Sequence, residues 1–331
     1  MFTTPILLIT FNRPDHVRQV LTEILKQNPQ ELYVCQDGAR ENNNLDRINC
    51  QEVRDVVNEL TSAYAISHKD FRLHTLYQNK NLGCGPGPAA GITWFFEHVE
   101  MGIIIEDDCL PHPDFFSYCE ELLNRFKNDE QMQFINATLY HDRWQCEASY
   151  DYSHYMVTGA WAGWRRTWQG FDIDMHTWHP WQFRKQVKRL TQDTTEANWW
   201  YWKLKEIQVD ESKKSYWDYQ MQMHLFRIEA LTVHPNKNLV SNIGFDTEGT
   251  HTWVNDGRGG RKLEGILPLT HPSEVKINNK MDVDCFGKTQ PLSWQQNIVK
   301  FVYQYMLHSK GILHTCLMLY KKIKNKPLPN N

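Results

Sequence analysis

The run Gly102-Ile103-Ile104-Ile105-Glu106-Asp107-Asp108-Cys109-Leu110 constrains this chain more than any other stretch. Three consecutive β-branched residues read as a buried strand. The strand leads straight into three carboxylates, and Pro111 and Pro113 stop any continuation. Three acids at the end of a buried strand are costly unless a cation or a donor network neutralises them. A hard divalent ion held by carboxylate oxygens, with phosphates as its other ligands, meets that need. A solvated acidic turn is the alternative, and the run alone does not choose between them.

The flanking segments alternate strand and helix. Pro5 to Thr10 reads as a buried strand and Phe11 to Asp15 as a turn, with Pro14 suited to a first helical position. Val17, Val20, Leu21, Ile24 and Leu25 then recur at helical spacing. Residues 31–36 form a second predicted strand, ending at Asp37-Gly38. A helix is expected over 46–60, a strand over 72–76, and a helix carrying Ile92, Phe95, Phe96 and Val99. After the acids come a predicted helix over 113–126 and a strand over 133–137. Such alternation implies a parallel sheet covered on both faces, with ligands outside the carboxyl ends of the strands. Asn12-Arg13, Asp37-Gly38 and Glu106-Asp107-Asp108 all fall at such ends and converge on one crevice. The glycine-rich stretch over 79–88 matches no phosphate-loop pattern and reads as a flexible loop that could close over a ligand.

Beyond residue 137 the alternation fades. Residues 140–155 read as a polar, aromatic loop, and 158–166 as a close-packed turn beneath a cleft. The Trp faces there suit sugar rings, although plain core packing explains them as well. Residues 183–215 read as a charged helical surface excursion. Asp218, flanked by Trp217 and Tyr219, opens a helix bearing Met221, Leu225 and Ile228. It is either a dipole-matching surface acid or a partly buried base. Thr232 to Pro235 is a late strand, and the glycine-punctuated loop after it reaches His251. From Trp294 onward Ile298, Phe301, Val302, Tyr305, Met306 and Leu313 share helical spacing. The six lysines of this tail meet no acid, so it reads as a basic amphipathic helix, either a membrane contact or a helix packed on the main domain.

Composition excludes several classes. A net charge of −3 over 331 residues, with −9 outside the basic tail, argues against a nucleic-acid binder. The eight cysteines contain no CxxC pair, so a zinc knuckle or redox pair is not expected. The amino terminus lacks the basic and long apolar regions of a signal peptide, and no stretch has the roughly 18 apolar residues of a membrane span. The expectation is a cytoplasmic protein with reduced thiols.

In order along the chain, these segments resemble glycosyltransferases of the GT-A fold, in particular N-glycan-processing N-acetylglucosaminyltransferases and their bacterial relatives. The likeness is carried by the first strand with Asn12-Arg13, by Val34-Cys35-Gln36-Asp37-Gly38, and by Ile105-Glu106-Asp107-Asp108 with Pro113-Asp114-Phe115-Phe116-Ser117-Tyr118. Tyr216-Trp217-Asp218 resembles the segment that carries the family's base, although Tyr219 stands where a second acid is usual. The resemblance covers about residues 4–252 and leaves the tail outside. It implies an α/β, Rossmann-like GT-A sheet, mostly parallel, with helices on both faces, to which the pattern from Trp294 adds a C-terminal helical tail. The catalytic domain would span 1–255, with a donor half over about 1–140 and an acceptor half over about 141–255, followed by an extension over 256–331.

The resemblance further implies an inverting, metal-dependent transfer from a nucleotide-diphosphate sugar, UDP-linked by preference, to a glycan or lipid-linked glycan hydroxyl. Asp108 would ligate Mn²⁺ or Mg²⁺, with His251 as a second ligand. Glu106 and Asp107 would bind ribose and sugar hydroxyls. Asp37, with Asn12 and Arg13, would hold the nucleoside, and Trp217 would pack on the donor sugar. Asp218 would be the base, and Trp161 and Trp164 would line the acceptor side. The expected setting is bacterial surface polysaccharide or glycan assembly at the cytoplasmic face, with peripheral membrane contact through the tail. A nucleotidyltransferase and a non-catalytic carbohydrate-binding scaffold are the competing readings.

Overall fold

The computed structural model describes residues 2–139, 146–210, 212, 215, 217–244 and 261–289. His251 and the expected tail helix from Trp294 lie outside these residues.

The first part of the chain alternates as expected. It runs β1 (Ile6–Thr10), α1 (Pro14–Leu25), β2 (Glu31–Gln36), α2 (Asn44–Ser67), β3 (Arg72–Tyr77), α3 (Pro86–His98) and β4 (Met101–Glu106). After the acids come β5 (Cys109–Pro111), α4 (Pro113–Arg125) and β6 (Met132–Asn136). Helix starts follow local chemistry. Proline sits in the first turn of α1, α3 and α4, where a missing N–H costs nothing. Asn43 caps α2 by accepting from the Asp46 N–H at 3.1 Å.

The remainder comprises β7 (Tyr150–Ser153), β8 (Ala160–Trp164), α5 (Arg165–Trp168), α6 (Pro180–Thr191), α7 (Thr194–Val209) and α8 (Trp217–Arg227). β9 (Leu231–Pro235), β10 (Val240–Asn242) and α9 (Asn279–Thr289) complete it. One eight-stranded sheet runs β3-β2-β1-β4-β8-β6-β9-β7, and β5 pairs with β10 in a separate ribbon. β3, β2, β1 and β4 are mutually parallel, as are β6 and β9. β8 enters antiparallel between β4 and β6, and β7 closes one edge antiparallel to β9. The fold class is therefore α/β with a large, mostly parallel sheet.

Both faces of the sheet are buried. Ile6 and Leu8 of β1 point into a core with α1, α2 and α4, whereas Leu7 and Ile9 point into a core with α3 and α8. This explains the near-continuous apolar runs of the central strands.

Two expectations are corrected. Residues 160–164, read as a turn, form the central strand β8. Its side chains alternate: Ala160, Ala162 and Trp164 face one core and Trp161 the other. Residues 183–215 are more than a surface excursion. Phe183, Val187, Trp200, Leu204 and Ile207 build a third core with Met223, Phe226, Met281 and Cys285.

Gly159, just before β8, adopts a positive φ of +103, and a Cβ there would lie 2.7 Å from the Cys109 sulfur. Its carbonyl accepts the Glu106 N–H at 2.7 Å, so this glycine fixes the end of the acidic strand. Gly159→Ala is expected to cost about 1–3 kcal/mol, the usual size of such backbone strain. Urea denaturation measures it, and an unchanged midpoint would show that the site relaxes freely.

Candidate active site

A cleft of ≈ 660 Å³ lies at the carboxyl ends of the parallel strands. The register sets Ile9 beside Glu106 and Thr10 beside Gln36, so the turns after β1, β2 and β4 open at one level. Arg13, Asp37, Glu106, Asp107, Asp108, Trp217 and Asp218 all line this cleft. Asn12 does not. It turns away and donates to Asp46 at 2.8 Å.

The acids are held by two kinds of partner. Arg13 Nη1 donates to Asp108 Oδ2 at 2.9 Å and lies 3.7 Å from Asp107 Oδ1. The Phe11 N–H donates to Asp107 Oδ2 at 3.1 Å. One guanidinium does not neutralise three carboxylates. Burial, reinforced by Asp108, Asp107 and Asp218, pushes the Glu106 carboxyl up to about 8. Burial and Asp108 push Asp107 up to about 7, against the opposing pull of Arg13. Gly244 lies against this cluster, since a Cβ there would sit 2.4 Å from Asp108 Oδ2.

Asp37 lines the cleft and also holds its own loop. Its Oδ1 accepts from the N–H groups of Gly38 (2.9 Å) and Leu82 (2.8 Å). Its Oδ2 accepts from Asn81 Nδ2 (3.0 Å) and the Gly83 N–H (2.9 Å). A carboxylate has about four lone-pair sites, and all are taken. Asp37 therefore clamps the glycine-rich loop, and the expected loose loop is pinned. Burial raises its pKa, opposed by these N–H donors.

Across the cleft, Asp218 sits in the first turn of α8 and accepts the Tyr219 N–H at 3.0 Å. One helical turn on, Gln222 is bonded twice to the segment before β8. Its Oε1 accepts from the Met156 N–H and its Nε2 donates to the His154 carbonyl, each at 2.8 Å. The wall is completed by Tyr155, Met156, Val157, Thr158, Trp200 and Tyr219. Tyr155 donates to the buried Glu196, and Trp200 Nε1 donates to the Tyr155 hydroxyl at 3.3 Å. Sequence reasoning missed Trp200, Tyr155 and Gln222. Only the spacing of 218 and 222, one turn apart on a helix, carried any signal.

The structure does not bring Trp161 and Trp164 to the cleft. Trp161 is 1% exposed and stacks on Phe134 with ring centroids 4.4 Å apart. Trp164 is 3% exposed on the opposite face, beneath the Arg166 guanidinium at 4.2 Å. Both are core residues. Trp164→Ala is expected to cost about 3–5 kcal/mol of stability, as large-to-small core changes do. Chemical denaturation of the variant tests this.

Among the described residues, no group of three or more His, Cys, Asp or Glu forms a ready-made metal cage. The donor set nevertheless fits a hard cation that shares its shell with a ligand. Carboxylate oxygens line the cleft, and Asp108 Oδ2 already binds a positive group. The raised pKa values give a sign. Folding holds protons on Glu106 and Asp107 that the unfolded chain loses near pH 4, so their stabilising contribution is full at lower pH. It is lost as pH rises toward about 8 and about 7, respectively. The melting temperature of the ligand-free protein should therefore fall across that window. Glu106→Gln with Asp107→Asn should flatten the fall, and added Mn²⁺ should stabilise more at pH 8 than at pH 5. A decline identical in the double variant would refute the assignment.

No protein-family model and no curated protein sequence matches the chain. Among solved structures it is similar to a UDP-glucose pyrophosphorylase complexed with UDP-glucose, at 8% identity and a TM-score of 0.39, over 72% of this chain and 93% of that one. It is similar to a UTP-bound UGPase from Acinetobacter baumannii, at 8% identity and a TM-score of 0.36, over 72% and 88%. It is also similar to glucosyl-3-phosphoglycerate synthase from Mycobacterium tuberculosis in complex with Mn²⁺, UDP and phosphoglyceric acid, at 14% identity and a TM-score of 0.29, over 50% and 56%. Likeness at this level assigns neither activity nor ligand to this chain.

Proposed function

We propose that the protein is a nucleotide-sugar-utilising enzyme, specifically an inverting, metal-dependent glycosyltransferase that moves a sugar from a UDP-type donor to a glycan hydroxyl. The observation that carries this reading is the meeting of three strand-end acids with Asp218 across one cleft. A solvated acidic turn would need neither the buried neighbours nor the opposing acid.

In this reading Asp108 holds the divalent cation, Mn²⁺ or Mg²⁺, with His251, outside the described residues, as a candidate second ligand. The cation supplies positive charge against the departing nucleoside diphosphate. Glu106 and Asp107 orient ribose and sugar hydroxyls. Arg13 faces the diphosphate. Asp37 shapes the nucleoside end indirectly, through the loop it clamps, and Asn12 supports it by fixing Asp46. Trp217 backs the donor sugar as a buried wall at 6% exposure. Asp218 takes the acceptor proton as its oxygen attacks the anomeric carbon from the opposite side. Tyr219, half-buried on the cleft wall, suits a sugar acceptor, whose ring offers C–H faces and hydroxyls together. The sequence likeness to N-acetylglucosaminyltransferases favours an N-acetylhexosamine donor and a bacterial surface glycan as product. Among the described residues no helix is long and apolar enough to cross a membrane. The basic tail is the proposed contact with a lipid-linked acceptor.

Thermal-shift measurements with UDP, GDP, CDP and dTDP, each with and without Mn²⁺, test the donor site. A ligand selective for the folded state must raise its stability. A metal-dependent shift with one nucleotide is expected, and no shift with any would exclude a working donor site. Asp218→Asn should keep that shift and lose about 10²–10⁴-fold in transfer rate, the usual share of a general base. Full activity in Asp218→Asn would remove it as the base. Formation of a nucleotide sugar from a nucleoside triphosphate and a sugar phosphate, with no transfer, would make the enzyme a nucleotidyltransferase instead.

A further inference from the structure

α6 turns one face into the protein and a very different one outward. Phe183 and Val187 enter the third core, and Leu190 packs partly against it. At helical spacing, Trp181, Lys185 and Lys188 lie together on the opposite side, flanked by Arg184 and Arg189. The helix contains no acid. Trp181 is 48% exposed. Its ring meets Tyr201, with centroids 4.9 Å apart, and the Arg184 guanidinium lies 5.5 Å from its centroid. Arg184 Nε donates to Asn198 at 2.6 Å, and Arg189 pairs with Glu229. Lys185 and Lys188 are exposed and, among the described residues, in no ion pair. The acids of α7, which packs on α6, are engaged elsewhere. Asp193 caps α7, Glu196 is buried against Tyr155, and Glu206 accepts from Lys203 at 2.9 Å.

We propose that α6 rests on an anionic lipid surface, with Trp181 among the headgroups and Lys185 and Lys188 against their negative charge. The inference does not depend on the reaction in the cleft. An indole, apolar with one polar N–H, and lysines with long apolar stems together suit the boundary between water and lipid. An uncharged partner would leave the lysines without a complement. The stretch from Trp294 onward is a poor cover, because its six lysines and absence of acids would repel this helix. Both basic elements instead call for the same negative surface. The placement also bears on the cleft. Gln186 Nε2 donates to the carbonyls of Phe226 and Arg227, at 3.1 Å and 2.7 Å, which ties α6 to the last turn of α8. Asp218 opens α8 about 14 Å away along the helix axis. On the transferase reading, a chain resting on α6 keeps that wall of the cleft near the headgroup layer.

Vesicle sedimentation of the full chain tests this, with phosphatidylcholine vesicles against equimolar phosphatidylcholine–phosphatidylglycerol ones. Only the anionic vesicles should bind, and added salt should release them. Lys185→Gln with Lys188→Gln should weaken binding about 10–30-fold, the share of two lysines at such a surface. Trp181→Ala should weaken it as well, with an unchanged salt dependence. Lys69→Gln with Lys127→Gln removes the same charge from exposed positions off α6 and should change binding little. Equal loss in the two double variants would mean attraction to net charge alone. Unchanged binding in the α6 double variant, with loss only when the tail lysines are replaced, would put the contact in the tail. Full competition by soluble polyglutamate, with Trp181→Ala silent, would mean an acidic polymer rather than lipid. Each of these results overturns the proposal, as does a wild type that ignores anionic vesicles. Thermal shifts with nucleotide and Mn²⁺ should be the same in every α6 variant, so a failure here and a failure of the donor site are read separately.

Discussion

The structure depends on burying negative charge at the end of β4. β4 is flanked by β1 and β8, so the acids at its end open into the cleft only partly exposed. Placing Glu106, Asp107 and Asp108 there raises their electrostatic cost. The chain meets part of that cost with its own groups, the Arg13 guanidinium and the Phe11 N–H, both from the turn after β1. The rest appears as protons held well above the normal carboxylate range on Glu106 and Asp107. Such displaced protonation is common where a fold is arranged for a charged ligand rather than for its own comfort. The neighbouring geometry respects the same need, since Gly244 leaves Asp108 room that any larger residue would take.

The Rossmann-like half was readable because its signals are local. Apolar runs, proline at helix starts and acids after strands appear within a few residues of one another. The order of β1 to β4 and the convergence of Arg13, Asp37 and the acids followed from that pattern. The second half was harder for physical reasons. β8 alternates small residues with tryptophan, Ala160-Trp161-Ala162-Gly163-Trp164, and is flanked by glycine at 159 and arginines at 165 and 166. Its strand character comes from pairing with β4 and β6, which are distant in sequence. Trp161 and Trp164 resembled cleft residues because aromatic chemistry is the same in a core and in a binding site. Only position in the sheet separates the two.

Asp37 illustrates a further limit. A sequence can show that an acid follows a strand, but not how many hydrogen bonds that acid has already accepted. Its four donors come from residues 38 and 81–83, the latter brought near by β3. The carboxylate thus has a structural role while it still lines the cleft. Trp200 shows the converse. It comes from an unpromising charged stretch, yet α7 carries it into the core directly behind the cleft, where the Tyr155 hydroxyl accepts from its ring nitrogen.

The pair of hydrogen bonds from Gln222 to the segment before β8 has a consequence for how such a scaffold diversifies. Asp218 and Gln222 lie on one helix, and Gln222 ties that helix to main-chain atoms of His154 and Met156 rather than to any side chain. A backbone tether is indifferent to which residues occupy those positions. The side chains at 154 and 156 can then change without loosening the tie. The carboxylate facing the acids keeps its place throughout. The helix of the cleft acid is thus tied to main-chain atoms of that segment, and a lineage built on this frame could vary side chains beside the cleft without moving Asp218.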